Sequence, residues 1–118
     1  FNSDFLFVTH FPLEKRPFYT MRSAEEPTLG RSFDLLFRGL EVTTGGQRIH
    51  NYDELVNSLK LRGLNPNFYQ GYLLPFRYGL PPHGGLAIGL ERLTARLVGL
   101  NNIREATLFP RDRRRLSP

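Results

Sequence analysis

The sequence contains no cysteine, which excludes disulfides and thiolate metal sites and leaves the redox compartment open, with a lean to the cytosol. No run reaches the roughly 18 consecutive apolar residues that a membrane span needs. A charged start followed by an apolar stretch, the mark of a signal peptide, is missing too. A soluble, cytoplasmic protein with no membrane partner is therefore expected. Acidic side chains are in short supply: 11 Asp and Glu stand against 16 Lys and Arg, a net charge of +5. That balance favours an acidic partner such as nucleic acid or nucleotide phosphate, although Arg111, Arg113, Arg114 and Arg115 concentrate part of it in the tail. Methionine occurs only at Met21, and the chain opens abruptly on FNSDFLFVTHF. We therefore expect a piece of a longer polypeptide, with RDRRRLSP as its natural end. Repeats and low-complexity segments are also absent. The remaining sequence is 118 residues, 40% of them hydrophobic, which suits one domain with a modest core.

Periodicity changes several times along the chain. DFLFVTHF is short and rich in aromatic and β-branched residues, so it predicts a buried strand that Pro12 ends. The following connection is broken by Pro17, Pro27 and Gly30. Residues 33–36 and 40–44 read as two strands around the turn Phe37-Arg38-Gly39. Tyr52, Leu55, Val56 and Leu59 recur with helical spacing behind the candidate N-cap Asn51, and Gly63 supplies the stop. Asn65-Pro66 opens a second helix, which carries Phe68, Tyr69, Tyr72 and Leu73 and is limited by Pro75. YGLPPHGG reads as a loop and LAIG as a short strand. Leu90, Leu93, Leu97 and Val98 form the apolar face of a third helix that Gly99 closes.

Charges interrupt the hairpin FDLLFRGLEVTTGGQRIH. A turn centred between Phe37 and Arg38 would set Asp34 opposite Glu41, and like charges facing one another across strands are unfavourable. Protonation of one carboxyl, an intervening basic residue or a bridging divalent cation would each relieve the pair. Mg²⁺ commonly takes one or two carboxylates plus substrate phosphates, and Thr44 adds a further oxygen. The alternative is a solvated charged edge. In TTGGQR, two consecutive glycines predict a bulge or the close approach of a ligand. Such a bulge would reset the side-chain alternation between Glu41 and Arg48. The Arg48 fork suits a carboxylate or amide of a small substrate, or else a salt bridge to Asp53 or Glu54.

HGGLAIGLERL has the Gly-rich, strand-to-helix form of a phosphate site, with Arg92 in the first turn of a helix. Its glycines match neither the dinucleotide fingerprint nor a Walker A loop. Helix-sheet packing is the competing explanation for them. His10, His50 and His83 show no shared metal spacing; the first two read as structural, and His83 receives no catalytic role.

Together these blocks resemble the C-terminal half of a class II aminoacyl-tRNA synthetase catalytic domain. GLAIGLERL is similar to motif 3 of that class, and FDLLFRGLEVTTGGQRIH to the preceding hairpin of the aspartyl and asparaginyl branch. With PPHGG and the terminal FPRD and RL blocks, the pattern most resembles the archaeal-type aspartyl enzymes and covers nearly the whole chain. The resemblance implies an α+β fold, an antiparallel sheet backed by helices. It implies that residues 1–118 are the C-terminal portion of the catalytic domain, with motifs 1 and 2 and the anticodon-binding domain lying upstream. It further implies a ligase that activates L-aspartate with ATP and transfers it to tRNA, as a homodimer formed through the upstream part. By the same resemblance the catalytic groups are Arg92 and Glu41, and ATP is held by Glu41, Gly89, Leu90, Glu91 and Arg92. Aspartate would be held by Thr44 and Arg48, and Mg²⁺ by Asp34, Glu41 and Thr44, with Thr44 replacing a serine common at that position. The 118 residues alone are expected to be inactive.

Rival readings remain open at this point. An asparaginyl-tRNA synthetase or an aspartate-amidating paralogue would carry an arginine at the position of Arg48 as well. A non-catalytic RNA-binding module would use the basic tail, but it leaves Asp34 and Glu41 unexplained.

Overall fold

In the computed structural model, which describes residues 2–117, four strands form one antiparallel sheet. They are β1 (Phe5–Thr9), β2 (Ser32–Phe37), β3 (Leu40–Arg48) and β4 (His83–Ile88), hydrogen-bonded in the order β1-β2-β3-β4. Three α-helices accompany them: α1 (Tyr52–Leu61), α2 (Gln70–Arg77) and α3 (Leu90–Val98). The α+β reading of the sequence therefore holds. Contacts divide the chain into two units, one of Thr9–Phe33 with Gly45–Leu86, the other of the residues up to Val8, Asp34–Thr44 and Ala87 onward.

The first unit owes its core to α1 and α2. Asn51 Oδ1 accepts the Glu54 N–H at 3.0 Å, a cap that satisfies one of the donors left free at a helix start. Leu55 and Leu59, one turn apart, are fully buried and meet Ile49, Leu73 and Phe76. Gly63 ends the helix with φ of 70°, a left-handed conformation that costs glycine little. Asn65 accepts from the Asn67 N–H, as expected of a cap, but the turn that follows, Pro66–Tyr69, is a 3₁₀ turn. Pro75 does not limit α2, which continues to Arg77. Proline removes only one bond here, to the carbonyl of Gly71, and burial of Leu73 and Phe76 on either side carries the helix through it.

In the second unit, Arg38 and Gly39 make a two-residue turn with φ of 47° and 77°, the twist a tight hairpin requires. Arg38 is held there by Asp4 Oδ2 at 3.1 Å. Phe5 stacks on buried Phe37 with ring centroids 4.5 Å apart. Even so, β1 is not the buried strand its composition predicts: Phe5, Leu6 and Phe7 are exposed. Among the described residues it is an edge strand, with β2 on one side and no strand on the other. α3 forms as expected, and Gly99 closes it in a left-handed conformation. Ala95 is its buried residue, whereas Leu90, Leu97 and Val98 are all more than 60% exposed. Periodicity reports that a helix face is apolar, not that a layer covers it.

The tail makes a local turn around Asp112. Its Oδ1 accepts the N–H groups of Arg114 and Arg115 at 2.7 and 2.9 Å, and Arg104 lies 3.1 Å from its Oδ2. The two backbone donors, and secondarily Arg104, hold the carboxyl below its usual range. A carboxyl depressed in the folded state stabilises the turn above the ordinary carboxylate range, and that contribution disappears as pH falls through the depressed value. In an NMR acid titration Asp112 should therefore move later than an unperturbed aspartate; a midpoint at or above about 3.9 would contradict this.

Candidate functional site

The hairpin register decides which groups meet. With the turn at Arg38-Gly39, Phe37 opposes Leu40 and Leu36 opposes Glu41, so a regular ladder would pair Asp34 with Thr43. Further along, however, the Gln47 N–H donates to the Arg31 carbonyl at 2.9 Å, a pairing one residue out of step that sets Asp34 opposite Thr44. The side chains agree: Thr44 Oγ1 donates to Asp34 Oδ1 at 2.6 Å. The slip falls at Val42-Thr43, consecutive residues that are both buried, as a β-bulge produces. Asp34 and Leu36 share a face, so the bulge brings Glu41 and Thr44, three residues apart, to that same face. The expected opposition of Asp34 and Glu41 is thus corrected. Asp34, only 8% exposed, takes the Thr44 hydroxyl, while Glu41 takes a cation.

That cation is Arg92. Its Nη1 donates to the Glu41 carbonyl at 3.0 Å and to Glu41 Oε1 at 3.2 Å, with both side chains about half exposed. Local structure places it there. The Gly89 N–H donates to the Val42 carbonyl at 2.8 Å, tying the start of α3 to β3 next to Glu41. The Gly89 carbonyl accepts from the Leu93 N–H at 2.9 Å, and the Arg92 side chain folds back over Gly89. Leu90 and Glu91 occupy the exposed first turn beside it.

Arg48 belongs to the other unit. The Tyr19–Met21 segment pairs with the end of β3: the Ile49 N–H donates to the Tyr19 carbonyl at 2.8 Å, and Thr20 bridges Arg48. This pairing sets the Tyr19 ring beside Arg48, 5.1 Å from centroid to Cζ. Among the described residues Arg48 makes no ion pair with Asp53 or Glu54. Burial pushes the Tyr72 phenol upward, opposed by the Arg48 charge and assisted by Tyr19. Sequence reasoning missed Tyr19 and Tyr72, because nothing in their local pattern points to a residue so far along the chain.

The glycine pair of TTGGQR is explained by the protein's own packing. A Cβ on Gly45 would stand 2.8 Å from Phe33 and Leu86, and one on Gly46 would stand 2.6 Å from the Arg31 carbonyl. β3 runs unbroken through both glycines, and the bulge lies upstream. His83 begins β4 rather than lying in a loop. Its Nδ1 is 3.0 Å from the Pro81 carbonyl, which can only accept, so this nitrogen carries the proton.

Among the described residues no three His, Asp or Glu side chains are grouped for a metal ion. The face carrying Asp34, Glu41 and Thr44 nevertheless offers two carboxylates and a hydroxyl, hard oxygen donors of the kind Mg²⁺ takes when phosphates complete its shell. Glu41 is half exposed and bonded to one guanidinium nitrogen, so its carboxylate keeps free lone pairs. The donor chemistry fits the ion.

Comparison with known proteins bears on the whole chain. A family profile described as tRNA synthetases class II (D, K and N) matches residues 1–113. An aspartate-tRNA(Asp/Asn) ligase of Thermus thermophilus is 62% identical over 98% of this chain, which corresponds to 27% of that protein. An aspartate-tRNA(Asp) ligase of Picrophilus torridus is 59% identical over 97% of the chain and 26% of its own length. The chain thus spans about a quarter of the curated relatives it matches. Among solved structures, the aspartyl-tRNA synthetase of Entamoeba histolytica superposes with a TM-score of 0.93 at 44% identity, covering 99% of this chain and 24% of that one. The asparaginyl-tRNA synthetase of Pyrococcus horikoshii gives 0.90 at 38%, covering 97% and 28%.

Proposed function

The chain belongs to the class II tRNA synthetases of the D, K and N group, and from that premise we propose that it is the C-terminal part of the catalytic domain of an aspartate-tRNA ligase. The missing three quarters would supply motifs 1 and 2, the anticodon-binding domain and the dimer contact. The substrates are ATP, L-aspartate and tRNA. The observation that carries the aspartate reading is the likeness to aspartate-tRNA ligases, 62% and 59% identity over nearly the whole chain against 38% for the asparaginyl enzyme. Within it, Arg48 is the group placed to receive the substrate, a guanidinium set against an aromatic ring with no carboxylate partner among the described residues. Such a fork is shaped to receive a carboxylate in two parallel hydrogen bonds.

In this reading neither step of the reaction uses a protein nucleophile. The substrate α-carboxylate attacks the α-phosphorus of ATP, pyrophosphate leaves, and the acyl group then passes to the terminal adenosine of tRNA. The protein positions the reactants and stabilises charge on the phosphates. Arg92, in the first turn of α3, supplies positive charge to ATP, with phosphate oxygens replacing Glu41 as its partner. Gly89, Leu90 and Glu91 form the adjoining segment against which ATP lies. Asp34, Glu41 and Thr44 would hold Mg²⁺, which neutralises phosphate charge when bound. Thr44 also anchors the Asp34 carboxyl, and Arg48 orients the side-chain carboxylate of aspartate.

Amino-acid-dependent ATP–pyrophosphate exchange by the whole protein tests this proposal. Exchange with aspartate but not asparagine, and only with Mg²⁺, is the expected result. Exchange with asparagine alone would move the protein to the asparaginyl branch, in keeping with the Pyrococcus likeness, and no exchange with either amino acid would overturn the proposal. In the same assay Arg48→Ala should raise the KM for aspartate by about 10- to 100-fold, the value of a hydrogen-bonded charge, with the KM for ATP little changed.

A further inference from the structure

We infer that Gly85 is a positioning residue for Arg48: by lacking a side chain it lets the β4 backbone lie flat against the guanidinium and fixes the plane in which the fork meets its carboxylate. The inference rests on the proposed role of Arg48. Its geometric basis is direct. A Cβ built on Gly85 would stand 2.9 Å from Arg48 Nη2, 3.2 Å from Cζ and 3.2 Å from Nε. Near-equal distances to three atoms of one planar group mean that the plane is approached by its face, not its edge. Tyr19 supplies a second surface, its ring centroid 5.1 Å from Cζ. A long arginine side chain has many rotamers, and a fork useful for two parallel hydrogen bonds needs most of them excluded.

Backbone conformation does not explain this glycine. The glycines with left-handed φ are Gly39, Gly63, Gly79 and Gly99, so an alanine at 85 meets no backbone strain. What it meets is the far end of a flexible side chain, which can move away without disturbing the fold. The neighbouring glycine behaves differently: a Cβ on Gly84 would stand 3.0 Å from the Gly46 carbonyl oxygen, so bulk there presses on the sheet itself. Two consecutive glycines of the same motif therefore serve two purposes. Gly84 lets β4 pack on β3, and Gly85 sets a substrate-binding side chain.

The test uses the whole synthetase carrying this chain, with aspartate-dependent ATP–pyrophosphate exchange and thermal denaturation as readouts. Gly85→Ala should raise the KM for aspartate by about 10- to 100-fold, the scale on which misplacement of a positioned group by about 1 Å is felt. The KM for ATP and the Tm should stay near wild type. Gly84→Ala should show the reverse, a lower Tm with no selective change in the aspartate KM. Because Gly85 acts only through Arg48, adding Gly85→Ala to Arg48→Ala should cause no further rise. An unchanged aspartate KM in Gly85→Ala, or an effect that persists undiminished in the Arg48→Ala background, overturns the inference while leaving the role of Arg48 intact. If Arg48→Ala itself leaves the aspartate KM unchanged, the role of Arg48 fails and this inference with it.

Discussion

Arg92→Ala is expected to reduce aspartate-dependent ATP–pyrophosphate exchange by the whole synthetase by about 10²–10³-fold, the usual cost of removing one preorganised donor from a site of developing negative charge. The reasoning starts from where the side chain sits. Arg92 stands in the first turn of α3, and the Gly89 N–H bond to the Val42 carbonyl places that turn against β3. Its guanidinium reaches Glu41 through both the backbone carbonyl and the carboxylate. With both side chains about half exposed, this ion pair contributes little to stability, so the variant should fold normally and the loss should be one of chemistry. Arg92→Lys keeps the charge but not the fork, and should fall between alanine and wild type. The loss should appear on the ATP side, in contrast to Arg48→Ala. If Arg92→Ala retains more than about a fifth of wild-type exchange, or damages the aspartate KM as much as the ATP KM, the assignment of Arg92 to ATP is wrong.

Leu55→Ala is expected to destabilise the protein by about 2–5 kcal/mol, the range for a large-to-small change in a packed core. Leu55 is fully buried within the cluster of Ile49, Leu59, Leu73 and Phe76. Its removal takes away apolar contact and leaves a cavity lined by both α1 and α2. The same substitution at Leu97 should change stability by less than about 0.5 kcal/mol, because that side chain is 63% exposed. Urea denaturation of the chain measures both. Equal shifts in the two midpoints would mean that the buried cluster does not dominate the stability of the chain.

The contrast between Leu55 and Leu97 shows how far sequence reasoning reaches. Both lie in clear helical periodicity, and the sequence treats them alike. The helix of Leu55 finds its partners in α2 and in Ile49, whereas none of the described residues covers Leu97 on the apolar face of α3. DFLFVTHF has the same difficulty, since its composition predicts a strand but cannot distinguish an edge from an interior position. The end of α2 is a smaller case: Pro75 is a breaker by local rule, but burial of Leu73 and Phe76 outweighs one lost hydrogen bond.

Of the candidate site, the residue types and their elements were legible, but the pairings were not. Asp34, Glu41, Thr44, Arg48 and Arg92 stand on the strands and helix that the motifs indicate. The expected face-off of Asp34 and Glu41 failed because the turn is centred one residue later than supposed and a bulge at Val42-Thr43 shifts the register again. In a strand a slip of one residue turns every later side chain to the opposite face, so no count along the sequence can substitute for the ladder itself.

The sequence by itself determined the cap at Asn51, the glycine stops at Gly63 and Gly99, the position of Arg92 in the first turn of its helix and the family to which the chain belongs. Each local feature is settled by residues within one turn of one another, where backbone sterics and single hydrogen bonds decide. Tertiary structure alone decided that Glu41 meets Arg92, 51 positions away, that Thr44 binds Asp34, and that Gly85 and Tyr19 hold Arg48. Those partners are chosen by strand register and close packing, which are properties of the assembled sheet and not of any stretch of chain.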